Sequence, residues 1–412
     1  DSGKPMNRLL QGDVGSGKTV VAAIAAAVIT SNNAQAAIMA PTSILAEQHY
    51  RNFTNLLKDV LKPEEIRLLV GDTTESEKES IRNGLADNTI KIVIGTHAVI
   101  EPNVQFKDLQ FVVIDEQHRF GVEQRAELRS KGTNPHLLVM TATPIPRSLA
   151  LTLYGDLDIS VMDEMPAGRI PINTFVLRPQ ERERAFTLLR GQIKDDKQAF
   201  IIYPLIEESE KIEARAAVDD YETLSKEVFP DLKLGLLHGK MRPAEKDETM
   251  LKFRDKQYNI LVSTTVVEVG VDVPNATVMV IEGADRFGLA QLHQLRGRVG
   301  RGADQSYCLL IPTREDATEN ERLQIMAESN DGFVLAEKDL QIRGPGEFLG
   351  TRQAGFASSL RMASITDVKL IEKARTQAQA VFEKDADLSQ PEHKLLAESL
   401  GRFWGEGKGD VS

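Results

Sequence analysis

Gly12-Asp13-Val14-Gly15-Ser16-Gly17-Lys18-Thr19 lies between an apolar run, Arg8 to Gln11, and an Ala-rich segment of helical character. Gly, four residues, then Gly-Lys-Thr at a strand-to-helix junction is the pattern of a phosphate cradle. The glycines let backbone N–H groups turn inward around a β-phosphate, and the helix N-terminus adds its dipole. Lys18 reaches the β/γ oxygens as a point charge, and the Thr19 hydroxyl is placed to ligate Mg²⁺. Gly12, Gly15, Ser16, Gly17, Lys18 and Thr19 are therefore the expected nucleotide contacts.

Outward from this loop, short Val/Ile/Leu-rich runs alternate with stretches of helical periodicity, which implies parallel sheets with crossover helices. In the first half the expected strands are Arg8 to Gln11, Ala36 to Ala40, Ile66 to Val70, Ile90 to Ile94, Phe111 to Ile114 and His136 to Met140. Each is almost wholly apolar, as a strand covered on both faces must be. Asp163-Glu164-Met165-Pro166-Ala167-Gly168-Arg169-Ile170-Pro171 interrupts the pattern and reads as an interdomain linker. Alternation then resumes, with strands expected at Ala199 to Tyr203, Leu232 to Leu237, Asn259 to Ser263, Thr277 to Ile281 and Tyr307 to Ile311. Helices are expected at Glu213 to Val228 and Arg242 to Phe253. The fold class is α/β, with two tandem lobes built on mainly parallel sheets. After Ile311 the chain turns helix-rich and charged, with a break at Asn330-Asp331-Gly332 and a glycine-dense loop from Gly344 to Gly355, the pattern of a helical hairpin and loop.

With 412 residues the chain has length for two or three domains. A net charge of −11 argues against coating nucleic acid through bulk charge, so any such contact must be local. One cysteine, Cys308 in an apolar strand, excludes an internal disulfide framework and points to a reducing, cytoplasmic setting. The longest apolar stretch, Val20 to Ile29, is about half a bilayer span, so no membrane role is expected. Histidines 97, 118, 238 and 293 form no spaced cluster with the cysteine or one another, which argues against a zinc site. Aromatic residues make up only 5%, too few for a single-strand stacking platform, and backbone contact with a duplex fits better. Trp404 and Phe403 read as a helix-end packing pair or a partner contact.

Phe111-Val112-Val113-Ile114-Asp115-Glu116-Gln117-His118 puts two carboxylates at the carboxyl end of a buried strand, where ligands of open α/β sheets collect. Asp115 would hold the metal, directly or through water, and Glu116 would orient the attacking water. Far along the chain, Gln294-Leu295-Arg296-Gly297-Arg298-Val299-Gly300-Arg301 carries Arg298 and Arg301 at three-residue spacing on one helical face. They either reach across a cleft to a γ-phosphate as fingers or form a solvated basic face.

These segments resemble the helicase superfamily 2 core, two RecA-like lobes with ATP in the cleft between them. The resemblance runs through nearly the whole chain. Ala40-Pro41-Thr42 and Gly95-Thr96-His97 resemble strand-tracking loops, and Thr141-Ala142-Thr143 resembles the segment that couples hydrolysis to lobe movement. Thr264-Thr265-Val266-Val267-Glu268-Val269-Gly270-Val271-Asp272 resembles the segment touching both nucleic acid and nucleotide. The resemblance implies nucleotide contacts at Gly270, Asp272 and Gln294, DNA contacts at Thr42, Thr96 and Thr264, and coupling roles for His118, Thr141 and Thr143. His118 and His238 read equally well as hydrogen-bonded structural residues.

Glu337 through Gly355 resembles the translocation hairpin and loop shared by the RecG and Mfd families, and Gly-Pro-Gly-Glu-Phe-Leu-Gly-Thr-Arg-Gln is in RecG wording. By position the family's translocation residues would be Arg343, Arg352 and Gln353; otherwise Arg343 pairs with Glu337 or Glu347 in a helical cap. The implied organisation is lobe 1 at 1–163, a linker at 164–171, lobe 2 at 172–315, hairpin and loop at 316–358 and a C-terminal helical segment at 359–412. The implied activity is an ATP- and Mg²⁺-dependent motor on double-stranded and branched DNA, monomeric, that remodels stalled forks in recombination and repair. Only eleven residues precede Gly12, so the segment that grips adenine and the N-terminal wedge domain of RecG proteins are expected to be missing. The competing readings are an Mfd-like translocase acting on RNA polymerase and a regulatory ATP-binding module that does not move on DNA.

Overall fold

The computed structural model describes residues 4–116, 127–142, 146, 157–164, 170–204, 218–264, 273–343 and 368–405. The first sheet contains β1 (Asn7–Gly12), β2 (Gln35–Met39), β3 (Ile66–Leu69), β4 (Ile92–Gly95), β5 (Leu109–Asp115), β6 (His136–Thr141) and β7 (Asp158–Met162). Their spatial order is β3-β4-β2-β5-β6-β1-β7, and every pair from β3 to β1 is parallel. The second sheet contains β8 (Asn173–Val176), β9 (Gln198–Ile202), β10 (Leu234–Leu237), β11 (Ile260–Ser263), β12 (Ala276–Glu282) and β13 (Tyr307–Ile311). It is parallel throughout, in the order β10-β11-β9-β12-β13-β8.

The two orders coincide when β10, β11, β9, β12, β13 and β8 are laid on β3, β4, β2, β5, β6 and β1. The same lobe is thus built twice, as the sequence alternation predicts. Two strands escape that reading. β7 and β8 are edge strands with half-exposed, mixed polar and apolar residues, Asp-Ile-Ser-Val-Met and Asn-Thr-Phe-Val. An edge strand faces solvent on one side and so lacks the unbroken apolar run that marks the interior strands. They flank the expected linker, of which residues 165–169 lie outside the described residues.

Helices cover the sheets through apolar faces. Ala22, Ala23 and Ala26 of α1 (Lys18–Ser31) pack into the first core with Leu10, Ile38, Phe111 and Met140. Phe53 of α2 (Ser43–Leu56) enters the same core fully buried. In the second lobe Phe186 of α3 (Arg182–Lys194) meets Phe229 edge to face at 5.3 Å, and Phe253 of α4 (Pro243–Arg254) meets Phe200 at 4.9 Å. The expected helix ending at Val228 closes in a π-helical turn, Leu224–Val228, and residues 205–217 lie outside the described set.

Both lobes with residues 160–335 and 1–144 form one compact unit, which includes α5 (Leu289–Arg296) and α6 (Glu321–Glu328). The next helix, α7 (Gly332–Arg343), runs from that unit into the second. The second unit comprises 145–159 and 336–412 and contains α8 (Val368–Lys384) and α9 (Lys394–Gly405). Within it the turn between α8 and α9 is tied by Asp385, which accepts from the Ser389 and Gln390 amides at 2.9 Å and pairs with His393 Nδ1 at 2.8 Å. No described helix is long and apolar enough to cross a membrane. The side chains of Phe403 and Trp404 lie outside the described residues.

A buried glutamine marks the duplication. Gln35 opens β2 and donates from Nε2 to the carbonyls of Leu85 and Ile90, both at 2.8 Å. Gln198 opens the corresponding β9 and donates to Phe253 and Tyr258 at 2.6 and 2.7 Å. Each amide ties a helix end and the following turn to its sheet. Replacing either by leucine strands two carbonyls, so Gln35→Leu and Gln198→Leu should each cost about 1–3 kcal/mol. Because the sites are in different lobes, the losses should add in the double variant; chemical denaturation checks both, and a neutral Gln198→Leu would refute the tie.

Candidate active site

β1 delivers the phosphate loop at its carboxyl end. Gly15 and Gly17 take positive φ of 80° and 97°, the left-handed region open to glycine. A Cβ on Gly12 would lie 2.5 Å from Ser16 Oγ, so the loop closes only over a bare backbone. Lys18 folds back beneath it, donating from Nζ to the carbonyls of Gly12 at 2.7 Å and Asp13 at 2.9 Å. Burial lowers the lysine's pKa; Asp115, Glu116 and Asp13 pull it back up and Arg301 opposes them. Ser16 Oγ is buried with no partner among the described residues, and Thr19 sits in the first turn of α1.

β6 alone separates β1 from β5, so the carboxyl ends of three adjacent strands converge. Asp115 closes β5. Its Oδ2 lies 2.7 Å from Nε2 of His49 on α2, and its Oδ1 accepts from the Glu116 amide at 3.1 Å. Burial would raise this carboxyl, but the hydrogen bond and charge of His49, with Lys18, hold it below the usual range. Glu116 has φ of 53°, a conformation costing about 1–2 kcal/mol for a residue with a side chain. Such strain persists where the surroundings over-determine it. Burial and the neighbouring Asp115 push the Glu116 carboxyl up to about 6, against Arg298, Lys18 and a hydrogen bond from the Ala142 backbone. That last bond links Glu116 to the residue after β6, next to the buried Thr141 that ends the strand. His118 and Thr143 lie outside the described residues.

The second lobe faces these groups with α5 and the turn after it. Arg298 is buried and its charge acts on Glu116; that of Arg301 acts on Lys18. Arg301 Nε donates to the Gly297 carbonyl at 3.0 Å, which orients the side chain. Gln294 lies half-buried on α5, whereas Gly270 and Asp272 fall outside the described residues. Two residues with no motif to announce them complete the frame: His49, which holds Asp115, and His293, whose Nε2 is 2.9 Å from Asp13 Oδ1.

The expected DNA-contacting threonines divide. Thr42 caps α2, its hydroxyl accepting from Leu45 N at 3.4 Å. Thr96 and Thr264 follow the corresponding strands β4 and β11, and both hydroxyl oxygens are buried with no partner among the described residues. Arg343 ends α7 with its side chain outside the described set, as are Arg352 and Gln353. No group of three or more His, Cys, Asp or Glu among the described residues is arranged for a metal. Thr19 and Asp115 carry hard oxygen donors of the kind Mg²⁺ takes beside phosphates and water.

A P-loop strand, a carboxylate strand and two arginines of a duplicated lobe define the class of superfamily 2 helicase cores. The DEAD/DEAH box helicase family matches residues 2–152, the helicase conserved C-terminal domain 181–303, and the C-terminal part of domain 3 of the ATP-dependent DNA helicase RecG 329–404. Over nearly its whole length the chain is similar to RecG proteins. It is 50% identical over 392 residues to the ATP-dependent DNA helicase RecG of Synechocystis sp., covering 95% of this chain and 47% of that protein. With the Thermotoga maritima RecG it shares 52% over 396 residues, covering 96% and 50%. The structure of RecG bound to a three-way DNA junction matches with a TM-score of 0.76 at 49% identity, over 91% of this chain and 48% of that one. Saccharomyces cerevisiae Dbp5 bound to RNA and ADP BeF3, at 17% identity and a TM-score of 0.56, shares the fold, covering 91% of this chain and 90% of its own. The chain spans about half the length of the curated relatives it matches.

If the roles are divided in this way, Glu116→Gln should lower ATP turnover by about 10²–10⁴-fold while nucleotide still binds. Lys18→Ala should lose turnover and nucleotide affinity together, because it removes a phosphate contact. Steady-state hydrolysis and equilibrium nucleotide titration separate the two; undiminished turnover in either variant would refute the assignment.

Proposed function

We propose that this chain is the motor of an ATP-dependent translocase on double-stranded DNA that, as part of a RecG-length protein, remodels branched DNA and stalled forks. One observation carries the reading: His293 of the second lobe lies 2.9 Å from Asp13 of the phosphate loop, which sets the turn bearing Arg298 and Arg301 beside Lys18 and Glu116. A triphosphate between them meets cations from both sides, so the lobes gain most from closing when its γ-phosphate is in place. The loop amides and Lys18 bind the β/γ oxygens, Glu116 accepts a hydrogen bond from the attacking water and orients it, and Arg298 and Arg301 offset charge on the transferring group. Thr19 and Asp115 would hold Mg²⁺, which would supply charge neutralisation for the phosphates. Loss of the γ-phosphate removes the shared anion, and the lobes relax.

On the DNA side, Thr96 and Thr264 offer one unsatisfied hydroxyl from each lobe, at matching strand ends. Hydroxyls and loop amides grip phosphates without reading bases. Two grips whose spacing changes with nucleotide state are what stepping requires. Arg343, Arg352 and Gln353 would then pass the movement on to the duplex. Branched DNA as the preferred substrate is supported by the relative solved on a three-way junction.

Hydrolysis by the full-length protein at low salt should rise with duplex DNA and further with forked DNA, and fall steeply as salt is added. Arg352→Ala should spare this stimulated hydrolysis far more than displacement of a third strand from a triplex. Failure of any DNA to stimulate hydrolysis would favour a nucleotide-gated module over a motor.

A further inference from the structure

The largest fully enclosed side chain among the described residues has no part in the chemistry above. Arg296, the last residue of α5, is 2% exposed. Its Nη1 donates to the carbonyls of Met326 and Ser329, both at 2.8 Å, and contacts Thr174 Oγ1 at 3.3 Å. Those carbonyls belong to the last turn of α6 and the residue after it. Two residues further, Asp331 accepts from the Phe333 amide at 2.8 Å at the start of α7. Arg296 therefore clamps the corner between the two hairpin helices.

On its other side, Arg296 Nη2 lies 3.1 Å from His293 Nδ1. A guanidinium only donates, so Nδ1 accepts and Nε2 carries the proton given to Asp13 Oδ1 at 2.9 Å. Asp13 is part of the phosphate loop: Oδ1 also accepts from the Val14 amide at 2.6 Å, and its backbone carbonyl accepts from Lys18 Nζ at 2.9 Å. A continuous buried line thus runs from the Lys18 ammonium through Asp13, His293 and Arg296 to the hairpin corner. Beside it lies a cavity of about 270 Å³ lined by Asp13, His293, Arg296, Asn330, Asp331 and Phe333, which gives that corner room to shift.

We propose that His293 and Arg296 are positioning residues that transmit the state of the phosphate loop directly to the base of the hairpin. Breaking any link in the line strands a buried polar group, so displacement of Asp13 is passed on more cheaply than it is absorbed. The carrier is a chain of contacts with defined partners at both ends, from Asp13 to the Met326 and Ser329 carbonyls. The proposal rests on the motor reading and adds a path that bypasses the arginine fingers.

The test uses the full RecG-length protein carrying His293→Leu, which keeps the volume and breaks both hydrogen bonds. Because His293 also holds the phosphate loop, the readout is the ratio of movement to hydrolysis: base pairs travelled per ATP should fall by about tenfold or more, beyond any change in hydrolysis itself. His293→Gln, which restores polar partners at that position, should recover part of the coupling. Arg296→Lys should behave like His293→Leu, and the double variant no worse than the poorer single; because Arg296 is so enclosed, His293→Leu decides if Arg296→Lys does not fold. Amide exchange at residues 327–333 should change on adding a non-hydrolysable ATP analogue in wild type and not in His293→Leu. An unchanged coupling ratio in His293→Leu, equal loss of hydrolysis and movement, or nucleotide-insensitive exchange at 327–333 in wild type would each overturn the proposal. A wild-type protein that never moves on DNA would remove the motor reading, and the exchange measurement would then decide the relay alone.

Discussion

The Lys18 ammonium is a buried charge whose environment is shared between two lobes. Its direct hydrogen bonds go to carbonyls of its own loop. The charges that favour it come from Asp115, Glu116 and Asp13, and one that opposes it, Arg301, comes from the other half of the molecule. A group of cations and carboxylates this enclosed is stable only while the sum stays close to balanced. A polyphosphate brought in with its counter-ion changes that sum, and in the proposed motor a change in the spacing of the lobes restores it. The strained backbone of Glu116, the histidine on Asp115 and the buried Arg298 are all arrangements around this balance.

The duplication shows how one lobe became the site and the other its lever. β5 and β12 occupy the same place in their sheets, and each ends in a buried acid, Asp115 and Glu282. Glu282 is neutralised inside its own lobe by Arg182, which forks onto both oxygens at 2.7 and 2.8 Å. Asp115 has no arginine fork among the described residues but an imidazole, the Glu116 amide and the charge of the loop lysine. β8, the counterpart of β1, runs into Leu177-Arg178-Pro179 rather than into a glycine loop. At the places of β1 and β5 the second lobe thus presents neither a glycine cradle nor an acid free of an arginine, and it contributes arginines instead. A similar cross-lobe opposition appears at Asp247 of α4, whose carboxyl is pushed up to about 6 by burial, Asp72 and Glu47. Like charges there work against close approach of the lobes.

Legibility in the sequence followed burial. The interior strands were found because both faces are covered and the residues are continuously apolar; β7 and β8 were not, because an edge strand alternates like a loop. The phosphate loop, Asp115 and Glu116, and the two arginines could be proposed from sequence because fixed spacing at a strand end is the pattern such chemistry needs. His49, His293 and Arg296 were not, since a side chain whose role is to hold another across tens or hundreds of residues leaves no local pattern. Thr42 shows the opposite effect: a hydroxyl in a motif position serves as a helix cap. The hydrogen bond from Ala142 to Glu116 runs through a backbone amide and leaves no signature in the side-chain sequence.

The most direct test is the distance between the lobes as a function of nucleotide. Spin labels at Asn83→Cys in the first lobe and Glu222→Cys in the second, both exposed, report it. The native Cys308 does not interfere, being buried with its thiol pushed up to about 12. A non-hydrolysable ATP analogue with Mg²⁺ should shift and narrow the distance distribution, and Arg298→Ala should largely cancel the shift. Identical distributions with and without the analogue in the unsubstituted protein would contradict a shared nucleotide site that drives the lobes together.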